Sequence, residues 1–572
     1  MFFDQKSARY YTSSLKKMSM LPCLLALLVS TSADALYFDR GPNEFVSYTS
    51  SGIQLKSLFD NKEYVRQTSS RFDWPLLQKY YKARGFEPVW CGKQDHGYSI
   101  KLLQGYLKAA AEEGLNPNDY RVTPDVDDCS HLDDSLVAEF DISLTNAFLK
   151  YSKDISSGRL DPKQVDEEWY IKRVEFDPIA SLDAALKSNK LQETLSNIQP
   201  QHKQYRLLRE KLSKYREIQR NRAWQFIPPG RALKPGDRHP HIPLIRRRLA
   251  SEIEGGLYPR GSDEQVYDHN LMIAVQRFQK RHGLDMDGII GPGTKQAMNM
   301  SVEWRIKQIK TSMERWRWMP RALGVSYILV NVPGFEMDFI RNDQTILHMR
   351  TITGRKDRTS PSFQSKITRI IFNPTWTVPT SIAIKDILPE QMKDPNFLNK
   401  SHIEVFMKNE KGNRDASNAK YNPQDIDWSQ FSENHFPYLL VQKPGNHNSL
   451  GRIKFQTPNK FGIYLHDTPY RHFFDKRVRA FSSGCIRLEK PEQLAAVLMG
   501  NNLNPTPESA NRVVGLIDTQ ETSQHNPSES VPVYVVYMTA WVDREGRLQF
   551  RDDIYDRDSK ISNSLFQANN AG

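Results

Sequence analysis

Apolar residues recur at helical spacing through the first part of the chain and at strand spacing through the second. From Trp74 to about residue 219 they predict helices, and Gly114 and Gly158 stand where helix C-caps are expected. From Tyr327 onward the period is that of strands, punctuated by Gly and Pro. The predicted helices include 98–113, 144–155, 181–195 and 202–219, and the predicted strands include 327–332, 336–341, 345–353, 369–376 and 451–455. We therefore expect an α+β multidomain protein.

Turn-rich breaks and changes of period set the expected domain boundaries. Residues 36 to about 70 have few periodic signals and are predicted to form an extended lead-in. Pro and Gly at 228–236 precede a compact helical unit, and an amphipathic helix at 303–318 follows that unit. For the tryptophans of this helix we expect core packing, with stacking on sugar as the alternative: Trp304, Trp316 and Trp318. The expected segments are 1–35, 36–227, 238–300, 301–324 and 325–560.

A long polar stretch interrupts the strand-rich region. Between about 381 and 448 the strand pattern lapses into polar, turn-prone sequence. Long insertions of this kind in a β domain are either lids or disordered segments. Strands resume afterwards, and a helix at 491–499 and a final hairpin formed by 533–542 and 547–550 are predicted.

Composition and charge narrow the function classes. The chain has 572 residues, of which 38% are hydrophobic and 26% are charged, as in ordinary globular proteins. A formal net charge of +12 suits a protein that works on an anionic polymer, although a solvated basic surface gives the same number. No zinc-finger, RNP or basic-zipper pattern is present, so a nucleic-acid partner is disfavoured.

The amino end has the pattern of a secretory signal. Lys16 and Lys17 precede an apolar run at 18–29, and Ala33-Asp34-Ala35 offers small residues for cleavage. The run is short for a membrane span, which leaves an uncleaved anchor as the alternative. Cys23 lacks the preceding small residue of a lipoprotein cleavage site, so lipid attachment is not expected. We expect a periplasmic protein without a stable membrane span after cleavage.

After removal of the signal, three cysteines remain. In an oxidising compartment Cys91 and Cys129 could pair and leave Cys485 as the odd thiol, or all three could stay reduced. Both possibilities are open at the level of sequence.

Two short segments carry the candidate chemistry. His466 closes a short apolar run at 462–466, and Cys485 follows 19 positions later, directly after Gly484. A thiolate is a nucleophile, a nearby imidazole can take its proton, and a glycine lets backbone N–H groups reach an oxyanion. The alternatives are a structural thiol beside a structural histidine, or a zinc site formed by His466, His472 and Cys485.

These segments resemble a known catalytic signature. His466-Asp467-Thr468 followed by Ser482-Ser483-Gly484-Cys485-Ile486-Arg487 is similar to the motif of the L,D-transpeptidase (YkuD-type) catalytic domain. Thr353-Gly354-Arg355, 359–361 and 372–379 fit the same resemblance, and the string at 287–294 resembles the turn of small peptidoglycan-binding domains. The whole chain resembles the large Gram-negative YcbB-type enzyme. That resemblance implies a helical scaffold domain, a small helical peptidoglycan-binding domain and a β-rich catalytic domain with a lid at about 381–448.

The resemblance also implies a reaction and a set of site residues. Cys485 would attack the third residue of a peptidoglycan stem peptide, form a thioester and pass the acyl group to an amine of a second stem, giving a 3-3 cross-link. The backbone carbonyl after His466, rather than the Asp467 carboxylate, would orient the imidazole. The implied residues are Cys485 and His466 for catalysis, the backbone of Gly484 and Cys485 for the oxyanion, and Arg487, Tyr464, Trp376 and Ser483 for substrate binding.

No metal or cofactor is expected, and the expected partners are stem peptides, with other wall-synthesis enzymes as further candidates. L,D-carboxypeptidase activity and attachment of a lipoprotein to peptidoglycan use the same chemistry and remain open. A non-enzymatic wall-binding protein is the alternative from a different class.

Overall fold

The computed structural model describes residues 49–91, 97–252, 263–415, 417 and 419–566. The predicted signal at 1–35 and the first part of the predicted lead-in lie outside these residues. Within the described ranges, no helix has the length and apolar character needed to cross a membrane.

The amino-terminal region is helical, and its helices pack around one long buried helix. That helix, α5, starts at an Asp133 side chain that accepts a bond of 2.9 Å from Leu136 N, and it ends at Gly158, whose φ is +86°. A Cβ at Gly158 would lie 2.5 Å from the Trp318 indole, so glycine is required there. The helices are α1(Ser50–Asp60), α2(Lys62–Thr68), α3(Trp74–Ala83), α4(Gly97–Lys108), α5(Asp134–Ser157), α6(Pro162–Val165), α7(Pro178–Lys187), α8(Leu191–Asn197) and α9(Lys203–Arg220).

Two predictions for this region are wrong, and one open question is answered. The stretch expected to be an extended lead-in contains α1 and α2, which begin at capping side chains of Thr49 and Asn61. The single helix predicted at 181–195 is split, because the chain turns at Asn189, whose φ is +54°. Cys91 and Cys129 form a disulfide.

A small three-helix unit follows, formed by α10(Ile242–Glu252), α11(His269–Arg281) and α12(Pro292–Asn299). The glycine-rich turn between α11 and α12 is stabilised by the buried side chain of Gln279. Its amide donates to Asp287 Oδ1 at 2.7 Å and accepts from Gly288 N at 2.9 Å. The residues of this turn therefore make hydrogen bonds that stabilise the fold of the three-helix unit.

The helix α13(Val302–Trp318) joins this unit to the rest of the molecule. Trp316 and Trp318 are buried, as core packing requires, whereas Trp304 is 43% exposed. Buried ion pairs fix the helix: Arg317 bonds Glu314 at 2.8 Å, and Arg315 pairs with Asp558 from the carboxy-terminal end of the chain. The helix therefore packs against both the helical region and the sheet domain.

The carboxy-terminal region is built on an eleven-stranded mixed sheet in the order β14-β5-β10-β11-β13-β3-β2-β1-β15-β4, with β12 beside β3. Its strands are β1(Ser326–Asn331), β2(Glu336–Arg341), β3(Gln344–Gly354), β4(Phe363–Ile367), β5(Arg369–Phe372), β10(Ile453–Gln456), β11(Leu465–His466), β12(Ala480–Ser482), β13(Ile486–Leu488), β14(Ser523–His525) and β15(Val531–Val536). The helices α17(Pro491–Met499) and α18(Pro507–Asp518) contribute to its core. A separate pair, β16(Ala540–Val542) and β17(Leu548–Phe550), and the helix α19(Asp558–Phe566) follow.

The insertion predicted as loops is a folded subdomain. It has a four-stranded sheet in the order β6-β9-β7-β8 and a hydrophobic core of its own that includes Leu398, Val405, Trp428 and Leu440. The expectation that strand structure lapses here is wrong. The elements are β6(Trp376–Thr377), α14(Thr380–Ile382), a π-helical turn at Ala383–Ile387, α15(Leu388–Lys393), α16(Phe397–Lys400), β7(Ile403–Met407), β8(Lys420–Tyr421) and β9(Tyr438–Gln442). We call residues 376–442 the lid.

Other strand predictions also need correction. The strand predicted at 369–376 ends at Phe372, because Asn373 turns the chain with a φ of +45°. The predicted hairpin arm at 533–542 divides into β15, which runs parallel to β1, and β16, which pairs with β17. Neither α18 nor α19 was predicted from the sequence.

Candidate active site

The strands β11 and β13 bring the two candidate catalytic residues together. They pair in parallel, with Leu465 opposite Ile486 and His466 opposite Arg487. Leu465 and Ile486 are fully buried in the core, so strand alternation places His466 and Cys485 on the other face. Neighbouring strands lie about 4.8 Å apart, and Cys485 is two positions before Arg487, the partner of His466. The thiol and the imidazole are therefore diagonal neighbours on one face.

The imidazole of His466 is buried and is oriented by the backbone. Its Nδ1 lies 2.5 Å from the carbonyl oxygen of Asp467, which assigns the proton to Nδ1 and leaves Nε2 as the acceptor. The Asp467 carboxylate is used elsewhere: it accepts from Arg452 N at 2.8 Å and from Arg471 Nη1 at 3.1 Å. The carbonyl of Asp467, and not its carboxylate, therefore positions the ring.

Burial and the charge of Arg487 lower the pKa of His466 to about 3. The carbonyls of Asp467 and Leu450 oppose this shift. An imidazole with such a low pKa is neutral at physiological pH, which is the state that can accept a proton.

Burial raises the pKa of the Cys485 thiol above its ordinary value. The backbone of Tyr464 and the charges of Lys454 and Arg487 act in the opposite direction but do not cancel it. The Sγ atom lies 4.0 Å from the carbonyl oxygen of Gly462. Both shifts favour the neutral forms, the thiol of Cys485 and the uncharged imidazole of His466.

The loop before Cys485 is held by two serines. Ser482 Oγ accepts from Gly484 N at 3.1 Å and donates to Cys485 O at 2.6 Å. Ser360 Oγ donates to Gly484 O at 2.7 Å and accepts from Gly354 N at 2.9 Å. Because the Gly484 N–H is engaged by Ser482, an oxyanion could bind it only by exchanging that bond. The oxyanion role of the Cys485 N–H stays a proposal.

The lid contacts the same loop through charged groups. Arg358 Nη1 donates to Ser483 Oγ at 3.0 Å, and the Arg358 guanidinium also binds Asp386 in the π-helical turn of the lid. Arg355 donates to Asp386 at 3.2 Å. Sequence reasoning missed Arg358 and Asp386. For Arg358 the sequence offered one indication: segment 353–361 contributed to the family resemblance. That resemblance assigned no role to the charged residues of the segment.

Two of the predicted substrate-binding residues, Tyr464 and Trp376, lie near the candidate catalytic pair. The Tyr464 ring lies 5.6 Å from the His466 ring, and the Lys454 ammonium lies 3.9 Å from the Tyr464 centroid. Burial and Cys485 raise the pKa of Tyr464, and a hydrogen bond with the Trp376 side chain opposes this. Trp376, at the start of the lid, is thus adjacent to Tyr464. Lys454, which lies in β10 directly opposite His466, was not predicted from the sequence.

Arg487 is the direct strand partner of His466 and shares a face with the candidate catalytic pair. Its guanidinium stands 5.9 Å from the centroid of the Tyr470 ring, and its Nε has no hydrogen-bond partner among the described residues. No carboxylate of the described chain pairs with it. Its charge acts on both Cys485 and His466, which makes it an electrostatic element of the site.

The zinc alternative finds no support. In the part of the chain that the structure describes, no group of three or more His, Cys, Asp or Glu side chains is arranged to hold a metal ion, and this includes His466, His472 and Cys485.

Comparisons with known proteins give a domain assignment for three segments. Residues 325–516 match the family described as "L,D-transpeptidase catalytic domain", residues 243–298 match "Putative peptidoglycan binding domain", and residues 75–212 match "Scaffold domain". A "Putative L,D-transpeptidase" of Haemophilus influenzae is 35% identical over 235 residues, which are 41% of this chain and 45% of that relative. The match thus spans less than half of the relative's length.

Solved structures show weaker similarity. An L,D-transpeptidase from Xylanimonas cellulosilytica (residues 123–326) is 11% identical, with a TM-score of 0.15, and covers 54% of this chain and 99% of that one. An L,D-transpeptidase from Stackebrandtia nassauensis is 11% identical, with a TM-score of 0.21, and covers 53% and 94%. At these TM-scores the similarities carry no argument about function.

Proposed function

We propose that this chain, which carries an L,D-transpeptidase catalytic domain beside a peptidoglycan-binding domain, forms 3-3 cross-links between peptidoglycan stem peptides through a thioester on Cys485. The observation that carries the proposal is the placement of Cys485 and His466 on one face of the paired strands β11 and β13. A neutral imidazole with a free Nε2 beside a protonated thiol is the resting state that general-base activation of a nucleophile needs.

In the first step the Cys485 sulfur attacks the carbonyl carbon of the third stem residue while His466 Nε2 takes the thiol proton. The tetrahedral oxyanion is stabilised by backbone N–H groups, with the Cys485 amide as the proposed donor. The C–N bond to the terminal D-alanine then breaks, and the imidazolium gives its proton to the leaving amine. The product is a thioester and a neutral His466.

In the second step the side-chain amine of another stem attacks the thioester. A C–N bond forms and the C–S bond breaks. His466 takes the proton that the amine loses and returns it to the departing sulfur. Water competes with the amine for the thioester, so the yield of cross-links depends on how well the site excludes water. The lid, tied to Ser483 through Arg358 and bordering Tyr464 through Trp376, is placed to do this.

The order of scaffold, peptidoglycan-binding and catalytic segments supports the large YcbB-type assignment. We place its work in the periplasm, where its substrate lies. The roles of Arg487, Tyr464, Trp376 and Ser483 in substrate binding, and the domain boundaries given above, belong to this proposal.

The test uses the full chain and a disaccharide-tetrapeptide as both donor and acceptor. Mass spectrometry of the intact protein should show an acyl adduct on the wild type and none on Cys485→Ala. Mass spectrometry of the products should show 3-3 dimers. Tripeptide without dimers would identify an L,D-carboxypeptidase, and absence of both adduct and product would leave a wall-binding protein. Sensitivity to a chelator combined with indifference to thiol alkylation would overturn the thiol mechanism.

A further inference from the structure

A groove of about 700 Å³ lies between the helical region and the sheet domain. Its lining includes three aromatic residues, of which Tyr170 is exposed and Trp169 is buried: Trp169, Tyr170 and Phe176. Its basic groups are Lys153, Lys163, Lys172, Arg173 and Lys460, and its acidic groups are Asp161 and Glu175. The groove therefore carries a net positive charge and has aromatic lining against which flat or ring-shaped groups can pack.

Three of these cations have no acidic partner among the residues that the structure describes. Lys172 is within 3.5 Å of Glu175, and Arg173 donates to the Ser157 and Gly158 carbonyls. Lys153, Lys163 and Lys460 have no carboxylate within salt-bridge distance in the described chain, and all three side chains are exposed. They can therefore bind carboxylates of a ligand.

The groove wall is fixed to the sheet domain before any ligand arrives. Tyr170 N donates to Ser362 O at 2.7 Å, and Ser362 N donates to Glu168 O at 2.8 Å. Arg557 holds Asp166 with bonds of 2.8 and 2.7 Å and also donates to Ser362 Oγ at 3.0 Å. A preformed wall spares the ligand the cost of ordering it.

One residue of the groove, Lys460, lies two positions before a residue that contacts the proposed nucleophile. The Lys460 ammonium stands 4.2 Å from the centroid of the Tyr170 ring, and Phe461 packs on that ring at 4.6 Å. The next residue, Gly462, has its carbonyl oxygen 4.0 Å from Cys485 Sγ. Lys460 thus lines the groove, and Gly462, two positions later, borders the thiol.

The groove and the lid approach the site through different contacts. One loop contacts the lid at Arg358, the nucleophile loop at Ser360 and the helical region at Ser362. This loop therefore contacts the lid, the loop before Cys485 and the wall of the groove. A reaction between two polymer strands needs separate binding surfaces for donor and acceptor, and the lid and the groove are two such surfaces.

We propose that this groove binds the acyl acceptor: a second peptidoglycan stem whose carboxylates pair with Lys153, Lys163 and Lys460 while its amine reaches the thioester. The inference rests on the proposed function. Charge complementarity supports it, because the three lysines face carboxylates that stem peptides carry. Positive surroundings also favour the neutral form of an amine, which is the form that attacks.

The experiment compares Lys153→Glu/Lys163→Glu, the same pair with Lys460→Glu, and a control, Lys62→Glu/Lys79→Glu/Lys101→Glu, whose exposed lysines lie outside the groove. Thioester formation is followed by intact-protein mass spectrometry, and the ratio of dimer to hydrolysed tripeptide is followed by product analysis. We expect both groove variants to form the thioester at a rate within about twofold of wild type and to lower the ratio, the triple variant by about tenfold. High salt should lower the wild-type ratio toward that of the triple variant.

An unchanged ratio in the triple variant, or an equal loss in the control, would overturn the acceptor groove. A parallel loss of thioester formation in the Lys153→Glu/Lys163→Glu variant would assign the groove to the donor and also overturn it. Failure of the wild type to form any thioester would instead refute the proposed function itself.

Discussion

Arg358 Nη1 donates a hydrogen bond of 3.0 Å to the hydroxyl of Ser483, two residues before the proposed nucleophile. The same guanidinium binds Asp386 of the lid, at 3.1 Å through Nη2. A single arginine thus connects the position of the lid to the loop that carries Cys485.

Asp386→Asn should separate these two parts. Both side chains are mostly buried, and loss of the charge-assisted pair should cost about 1 kcal/mol. We expect the ratio of cross-linking to hydrolysis to fall about fivefold, since a loosened lid admits water. Asp357→Asn is the matched control, because Asp357 is exposed and pairs with Arg355. Equal ratios for the two variants would contradict a role for the lid in excluding water.

The raised pKa of Cys485 predicts how the free enzyme reacts with iodoacetamide. Below its pKa the thiolate fraction is small, so the alkylation rate should rise about tenfold per pH unit from pH 7 to 9. A plateau below pH 8 would mean that a thiolate–imidazolium pair is the resting state.

The pKa of His466 is lowered to about 3, so the imidazole stays neutral between about pH 5 and 8. Over this range kcat/KM should therefore not fall because of protonation of His466.

Arg487 should be tested through both neighbours. Its positive charge lowers the pKa of Cys485 and of His466, so Arg487→Gln should raise both. At pH 8 the alkylation of Cys485 should then slow by about threefold, because a higher pKa leaves a smaller fraction of thiolate. Arg487→Lys keeps the charge and should react at nearly the wild-type rate. If both variants behave alike, the residue acts through its shape and not its charge.

The bend after β3 depends on a glycine. A Cβ at Gly354 would meet the backbone of Arg358 and would lie 2.8 Å from Ser360 N, so no side chain can move to relieve the overlap. Gly354→Ala should lower the free energy of unfolding by about 3 kcal/mol and displace Ser360 from Gly484. Gly515→Ala in α18, where a Cβ meets nothing within 4 Å, should instead stabilise the protein by up to about 1 kcal/mol. Thermal and urea unfolding would compare the two.

The disulfide between Cys91 and Cys129 closes a loop across 38 positions of the helical region. Replacing both residues by Ala should cost about 3 kcal/mol, chiefly because the unfolded chain becomes less restricted. A reductant should lower the melting temperature of the wild type and leave the double variant unchanged. If reductant also lowered the melting temperature of the double variant, the effect on the wild type could not be assigned to this disulfide.

Local pattern predicted the reacting pair but not what holds it. His466 and Cys485 flank short buried strands, and their identities and spacing are readable directly from the chain. The bond from Arg358 to Asp386 joins positions 28 apart, and nothing in either local sequence announces it. The lid strands were missed because they are short and separated by polar turns. The core that contains Val405 and Trp428 is therefore not marked by a long apolar run in the sequence. The helix α1 was missed because its start depends on the Thr49 side chain more than on periodicity.

The protonated state of Cys485 has a consequence for the survival of the enzyme. Peroxide converts thiolates to sulfenic acids much faster than it converts thiols. A sulfur that keeps its proton until a stem peptide occupies the site spends little time in the vulnerable form. The chain can thus carry an oxidised cysteine pair in its helical region and a reduced cysteine at its proposed catalytic centre under the same redox conditions.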